Sequence, residues 1–417
     1  MFNRKNFLIL IQSLERIVHL HFTDKRKFSR IKIIEAEHTI FINIPDNFPM
    51  KRNILLNPGP ATTTDGVKQA LMVPDICPRE QEFGDLTQSV LKKIVKVVNG
   101  KSTHNAVIFA GSGTAGVEAA LSSVVALEDK ILILDNGAYG KRAETIIQAY
   151  GIPHRTYRIG WGEYPDVKEI ESILQQDREL THFAFVHHET TTGMLNPLRE
   201  LLELCQKYDV DSIVDAMSSY AGLPIDLQEQ PIDYLISSSN KCIQGMAGTS
   251  FVIANKKKLT KTANIPPRNL YLNLWGNHSY IEKTGQFQFT PPVQIVYALN
   301  TALDEFFIET QAGRTARYFK SYETLLNGLG KVGLELLLPE SQHSKLLTAI
   351  VEPQSPDYDF MEMHDYFYEN DITIYPGKGA KKDTFRIANI GAIDYRDMQI
   401  FNEKLLQYFV EKKITIS

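Results

Sequence analysis

Cysteine is scarce in this chain: three in 417 residues, Cys77, Cys205 and Cys242, odd in number and without a metal-ligand spacing. That argues against a disulfide framework and favours reduced thiols in a cytoplasm. Long apolar runs are missing too. Phe7 to Ile11 is too short for a signal-peptide core and is followed by Glu15 and Arg16, and no stretch approaches the roughly 20 apolar residues needed to cross a bilayer. Nor is there an excess of positive charge. With 45 Lys and Arg against 49 Asp and Glu, the net charge is -4, so no basic field suits a nucleic acid and any anion specificity must be local. No internal repeat or low-complexity tract is present. What is there is ordinary for a soluble globular protein, 43% apolar, 23% charged and 10% aromatic, at a length that supports a large core and two domains.

Residues 1–49 differ from the rest of the chain. Arg4, Lys5, Lys25, Arg26, Lys27 and Arg30 make them locally basic, with one strand-like run at Thr39 to Ile44. They carry no legible chemistry and are expected to be an extension (a fusion remnant, a docking segment or an upstream start), with Met50 a natural start of the body. From about residue 105 short β-rich runs recur at Ala106 to Phe109, Ile131 to Leu134, Phe183 to Val186, Ser212 to Val214 and Leu235 to Ser237. Between them, Gly116 to Ala126, Lys141 to Tyr150, Asp166 to Leu174 and Pro197 to Tyr208 have the length and spacing of crossover helices. This alternation predicts an α/β fold with right-handed βαβ units and a mainly parallel sheet over 50–310. Beyond 310, strands at Leu346 to Val351, Ile372 to Tyr375 and Thr384 to Ile387 mix with helices at Phe360 to Glu369 and Tyr395 to Phe409, predicting a smaller α+β domain over 311–417.

Open α/β sheets bind ligands beyond the carboxyl ends of their strands, and the polar motifs fall there. Asp215 ends the run Ser212 to Asp215, and Lys241 follows the run Tyr234 to Ile236 within Ser237-Ser238-Ser239-Asn240-Lys241. An amine at the mouth of a sheet can hold an aldehyde cofactor as a Schiff base, and a buried carboxylate can keep a pyridine nitrogen protonated. The pair therefore reads as pyridoxal phosphate chemistry. The run Ile108 to Gly116 passes from strand to helix through Gly111-Ser112-Gly113-Thr114. It is either a phosphate cradle or a tight turn capped by Thr114. Tyr139, between Gly137 and Gly140, either lies flat on a planar cofactor or packs in the core. His187-His188-Glu189-Thr190-Thr191-Thr192-Gly193 resembles a metal site, but adjacent strand residues face opposite ways, so a polar loop whose hydroxyls reach a cofactor is preferred and no metal is expected. Met217 falls two residues beyond Asp215, where it could pack beneath a ring. Arg386, in Phe385-Arg386-Ile387, is a surface arginine or a two-pronged clamp for a carboxylate or phosphonate.

In this order the motifs resemble the class V aminotransferases of fold type I over essentially residues 50–417. Ile54-Leu55-Leu56-Asn57-Pro58-Gly59-Pro60-Ala61-Thr62-Thr63-Thr64 and Asp75 to Phe83 resemble the opening of the 2-aminoethylphosphonate:pyruvate branch of that class. The resemblance implies pyridoxal 5'-phosphate as cofactor, 2-aminoethylphosphonate and pyruvate as substrates, and a homodimer with shared active sites. It implies Lys241 as the Schiff-base lysine, Asp215 as the pyridine-nitrogen partner and Tyr139 as the ring stacker. Thr191 would contact the ring hydroxyl, with Thr190 and Thr192 as alternatives. Ser112, Gly113 and Thr114 would bind the phosphate, helped by Thr290 from the partner chain, while Phe287 stands where some relatives have a tyrosine. Gly59 and Thr62 belong to an arm expected to fold over the substrate, which Arg386 would clamp. The rival readings are an alanine- or serine-glyoxylate aminotransferase, a cysteine desulfurase, for which no cysteine follows Cys242, and a retired scaffold without activity.

Overall fold

The computed structural model describes residues 32–36, 39–43, 52–377 and 382–414. The chain divides into two units, Met1–Asn53 and Ile54–Ser417. In the first, Lys32–Ala36 and Thr39–Asn43 pair antiparallel; of the strand-like run expected at Thr39 to Ile44, Thr39–Asn43 form the second strand and Ile44 lies outside the described residues.

The second unit is built on seven strands: β1 (His104–Ala110), β2 (Lys130–Asp135), β3 (His154–Arg158), β4 (Leu180–Val186), β5 (Asp211–Asp215), β6 (Tyr234–Ser238) and β7 (Thr249–Asn255). Their order is β1-β7-β6-β5-β4-β2-β3, with every pairing parallel except those of β7. The central strands are apolar on both faces because both are covered. Leu132, Leu134, Phe183, Phe185, Val214 and Leu235 enter one core, while Ile131, Ile133, Ala184, Ile213 and Ile236 enter the other, the period-2 alternation of a strand. Helices α1 (Gln81–Val97), α2 (Gly113–Val124), α3 (Ala138–Ala149), α4 (Val167–Gln176) and α5 (Leu198–Tyr208) cover it. All five expected strands and four expected crossover helices are present, α2 and α3 starting three residues earlier than the pattern suggested. The edge strand β3, with its polar His154 and Arg155, and the reversed β7 carried no alternation signal that set them apart.

Beyond the sheet come α6 (Leu274–Thr284), α7 (Val293–Glu309) and the long α8 (Gln311–Lys331). The C-terminal region has a three-stranded sheet of β8 (Leu347–Val351), β9 (Tyr375–Pro376) and β10 (Thr384–Ala388), in the order β8-β10-β9, with α9 (Phe360–Glu369) and α10 (Tyr395–Glu411). Its core joins Ile350, Phe367, Phe385, Ile387, Phe401 and Leu405 to Ile54 and Leu56. The arm is thus part of this region's fabric: Ile54 and Leu55 pair in parallel with Ile372 and Thr373, and Ala388 N–H donates to Leu56 O at 2.7 Å. No helix among the described residues is long and apolar enough to cross a membrane.

Candidate functional site

Every parallel strand ends at the same edge of the sheet, and the turns beyond those ends supply the site. Lys241 sits in the turn between β6 and β7. Ser239 fixes that turn, with its N–H on Thr249 O at 3.1 Å and its hydroxyl on Met246 O. The Lys241 Nζ donates to Pro58 O at 2.7 Å. Burial pushes its pKa down from 10.5 to about 8, because an ammonium loses hydration there. Above it, Gly59 has φ +133°, and a Cβ at that position would lie 2.5 Å from the lysine Nζ. Only glycine accommodates both the conformation and the approach. Ala61 N–H on Asn240 O, 3.1 Å, holds the arm in place. Thr62 is buried and its hydroxyl accepts from Leu55 N–H at 3.0 Å, so this side chain shapes the arm.

Asp215 closes β5. Burial raises its pKa from 3.8 to about 6, opposed by the Met217 N–H and by the charges of Arg142 and Lys241. That N–H donates to Oδ1 at 2.9 Å, and Oδ2 has no hydrogen bond among the described residues. Met217 packs against the start of α2, where a Cβ on Gly113 would fall 2.5 Å from its sulfur. Ser112, not Thr114, is the N-cap of α2, and its hydroxyl makes no capping bond. The first N–H groups of the helix and an exposed Ser112 hydroxyl with no hydrogen bond among the described residues lie together at this end, an arrangement suited to an anion. Thr114 accepts from Arg142 at 3.2 Å, and the Arg142 guanidinium lies 4.8 Å from the Tyr139 ring centre. An open carboxylate oxygen, an anion cradle and an aromatic ring around one amine are the donor set that a phosphorylated pyridine aldehyde requires, so the residues present fit pyridoxal phosphate.

Below the Tyr139 turn is Glu189, fully buried. It accepts from Thr191 N at 3.0 Å, Thr191 Oγ1 at 2.5 Å and Tyr139 N at 3.2 Å. The Thr191 hydroxyl also accepts from Ala138 N–H at 3.1 Å. Neighbouring His187 and His188 diverge, the first bonding Ser219 Oγ at 3.0 Å and the second Ser218 O at 3.3 Å. Burial depresses them to about 4 and about 3, so both are neutral. No group of three or more His, Cys, Asp or Glu able to hold a metal occurs among the described residues.

Arg386, on β10, is 4% exposed. Its Nε and Nη2 donate to Pro376 O at 3.0 and 2.8 Å, and Nη1 to Thr190 O at 3.0 Å. Of its five N–H groups, one on each terminal nitrogen has no partner among the described residues, and a two-pronged oxyanion clamp needs two such donors. No carboxylate pairs with it among the described residues.

Thr290 is exposed and makes no side-chain hydrogen bond among the described residues. Its neighbour Phe289 packs on Tyr271, ring centres 5.1 Å apart, and the Tyr271 hydroxyl donates to Ala110 O at 3.0 Å. Phe287 is buried in the core beside Phe83. Two residues escape a reading of the sequence. Glu189 lies inside a recognised motif but has no role of its own there. Arg142 is readable only from its i+3 spacing to Tyr139 on a helix.

Residues 72–377 match the family described as Aminotransferase class-V. The chain is 38% identical over 347 residues to the 2-aminoethylphosphonate–pyruvate transaminase of Pseudomonas fluorescens Pf-5, covering 83% of this chain and 94% of that one. It is 40% identical over 348 residues to the enzyme of the same name from Salmonella paratyphi C, with the same coverage. Among solved structures, ureidoglycine-glyoxylate aminotransferase from Bacillus subtilis superposes with a TM-score of 0.81 at 22% identity, covering 89% of this chain and 96% of that one. Alanine–glyoxylate aminotransferase from Nostoc sp. gives 0.78 at 25% identity, covering 88% and 97%. The α/β fold with its mostly parallel sheet is that of these fold type I enzymes, and the chain belongs to the class V aminotransferases.

Proposed function

We propose that this enzyme moves the amino group of 2-aminoethylphosphonate to pyruvate, reversibly giving phosphonoacetaldehyde and L-alanine, with pyridoxal 5'-phosphate as cofactor. The observation that carries the reading is the convergence of Lys241, Asp215 and the Arg386 guanidinium, two of whose N–H groups have no partner among the described residues, at one edge of the sheet. The substrate pair rests on relatives of that name at 38% and 40% identity over most of both chains. When bound, the cofactor supplies the aldehyde that takes up the amine and the ring that delocalises the electron pair.

The protein's residues do the rest. Lys241, with its pKa depressed to about 8, keeps a usable fraction of neutral amine near pH 7 and can move a proton at Nζ once the substrate amine has displaced it. The open Oδ2 of Asp215 can hold the pyridine N–H, while the Met217 N–H keeps the carboxylate in orientation. Ser112, Gly113 and Thr114 would receive the phosphate, Tyr139 would lie on the ring and Met217 beneath it. Thr191 would meet the ring hydroxyl. Arg386 would hold the phosphonate in one half-reaction and the pyruvate carboxylate in the other, since both present paired oxygens to a fork. Pro58 and Gly59 form the roof that limits water, and Thr62 holds the roof's shape.

We read 50–310 as the arm and large domain and 311–417 as the small domain, supported by the apolar core that the latter forms together with Ile54 and Leu56 of the arm. A homodimer in which Thr290 reaches the partner's phosphate is supported by that residue's exposure. A cytoplasmic setting is supported by three free cysteines. The test is a visible spectrum of the cofactor-loaded protein, titrated separately with 2-aminoethylphosphonate, L-alanine and L-serine. Loss of the cofactor band with 2-aminoethylphosphonate and its return with pyruvate are expected. A response to alanine or serine without one to the phosphonate would move the assignment to an alanine- or serine-glyoxylate enzyme.

A further inference from the structure

We propose that Glu189 is a positioning residue that sets Tyr139 and Thr191 against the cofactor from a single buried carboxyl group and fixes which way the Thr191 hydroxyl hydrogen points. The inference rests on the pyridoxal phosphate reading of the site. Tyr139 opens α3 and Thr191 lies in the loop after β4, so two different segments must be brought into register if one is to lie on the ring and the other at its edge. One side chain reaches both: Glu189 Oε2 accepts from Tyr139 N at 3.2 Å, and Oε1 accepts from Thr191 N at 3.0 Å and Thr191 Oγ1 at 2.5 Å. The space is made for it. A Cβ on Gly137 would lie 2.6 Å from Glu189 Oε2, so the residue two before Tyr139 has to be glycine for the carboxyl group to fit.

The consequence for Thr191 comes from counting. A hydroxyl has one hydrogen and two lone pairs. When Glu189 is ionised, the hydrogen is given to Oε1 and one lone pair to Ala138 N–H, so Thr191 meets the cofactor only as an acceptor. When Glu189 is protonated, its own O–H can donate to Thr191, whose hydrogen then turns outward. The groups that bias this balance are few. Burial and the charge of Asp215 favour the protonated form, the Thr191 and Tyr139 donors favour the ionised form, and the Arg386 guanidinium interacts with the same carboxyl group. The three donors on the carboxyl group match the ionised form in the resting site; it would place a negative charge one hydroxyl away from a bound ring, where it would favour a proton on the Lys241 nitrogen.

The experiment tracks the bound cofactor's absorbance against pH, and the cofactor dissociation constant, in full-length wild type, Glu189→Gln and Glu189→Asp. Removing the charge in Glu189→Gln should lower the pH midpoint of the absorbance change by roughly one unit. Retaining the charge on a shorter arm in Glu189→Asp should leave the midpoint near that of the wild type and weaken cofactor binding about tenfold. A Gln variant with an unmoved midpoint overturns the proposal. If the Gln variant does not fold, an Asp variant that binds the cofactor as tightly as the wild type overturns it instead. A wild type with no titrating cofactor band at all would sink the cofactor reading itself, a result distinct from either.

Discussion

Replacing Asp215 by asparagine should make the cofactor-free protein more stable, although it should also disable the enzyme if Asp215 partners the ring nitrogen as proposed. Burial lifts the Asp215 pKa from 3.8 to about 6, so the folded state prefers the protonated form and binds a proton more tightly than the unfolded chain does. Stability from this group is fully present below about pH 4 and is lost as pH rises through about 6. At about 1.4 kcal/mol per unit the cost at neutral pH is at most ~3 kcal/mol. Asp215 is partly open to solvent, which brings the expected gain for Asp215→Asn to about 1–3 kcal/mol. Asparagine keeps an oxygen for the Met217 N–H, 2.9 Å away in the wild type, so the substitution removes the charge and little else. Urea midpoints of the two cofactor-free proteins at pH 4, 5, 6 and 7.5 measure it. The curves should coincide near pH 4 and separate by pH 7.5, with the variant higher. Adding pyridoxal phosphate should then stabilise the wild type more than the variant, because a cationic ring nitrogen restores a partner for the carboxylate. A gap that does not change with pH, or a variant less stable at pH 7.5, would refute the reasoning.

The other predictions concern the roof, the amine and the clamp. Uptake of pyridoxal phosphate by the cofactor-free protein should speed up through about pH 8, since the depressed Lys241 reacts as the neutral amine; a rate flat between pH 7 and 9 in stopped-flow absorbance contradicts it. Lys241→Ala should abolish both turnover and the cofactor's covalent absorbance, and a variant that still turns over removes the lysine from its role. Arg386→Lys gives up the fork, and KM for both substrates should rise by roughly 10- to 100-fold in steady-state assays; an effect on neither places the clamp elsewhere. Gly59→Ala adds a Cβ 2.5 Å from the lysine Nζ at φ +133°, and turnover should fall at least about tenfold, given a strain of about 1–3 kcal/mol.

Much of this is legible in the sequence because it depends on local pattern. The β-rich runs that form β1, β2, β4, β5 and β6 are apolar on both faces, and a residue at the end of such a run has one place to go, the carboxyl edge. Asp215, Lys241 and the Gly111 to Thr114 turn are found that way. The features that stay hidden depend on pairs distant in sequence. Nothing near Glu189 says that Tyr139, 50 residues earlier, hangs from its carboxyl group. The same holds for Thr62: a threonine in an arm over a site reads as a substrate contact until its hydroxyl is seen bonded to Leu55 N–H. Thr114 reads as a helix cap, but the cap lies two residues earlier, at Ser112. Strand β7 escapes because its run Thr249–Asn255 returns antiparallel without a crossover helix to announce it.

The strand that carries the arm, Ile54–Leu55 paired with Ile372–Thr373, gives the active site an unusual carpentry. The beam over Lys241 is nailed to the C-terminal region, far along the chain from the lysine it covers, and the Ala388 N–H to Leu56 O bond fastens it two residues from Arg386. Ceiling and Arg386 therefore hang from the same timber. A substitution in Phe385 or Ile387 that loosens this framework is felt at the lysine, by way of the roof, although neither side chain belongs to the large sheet.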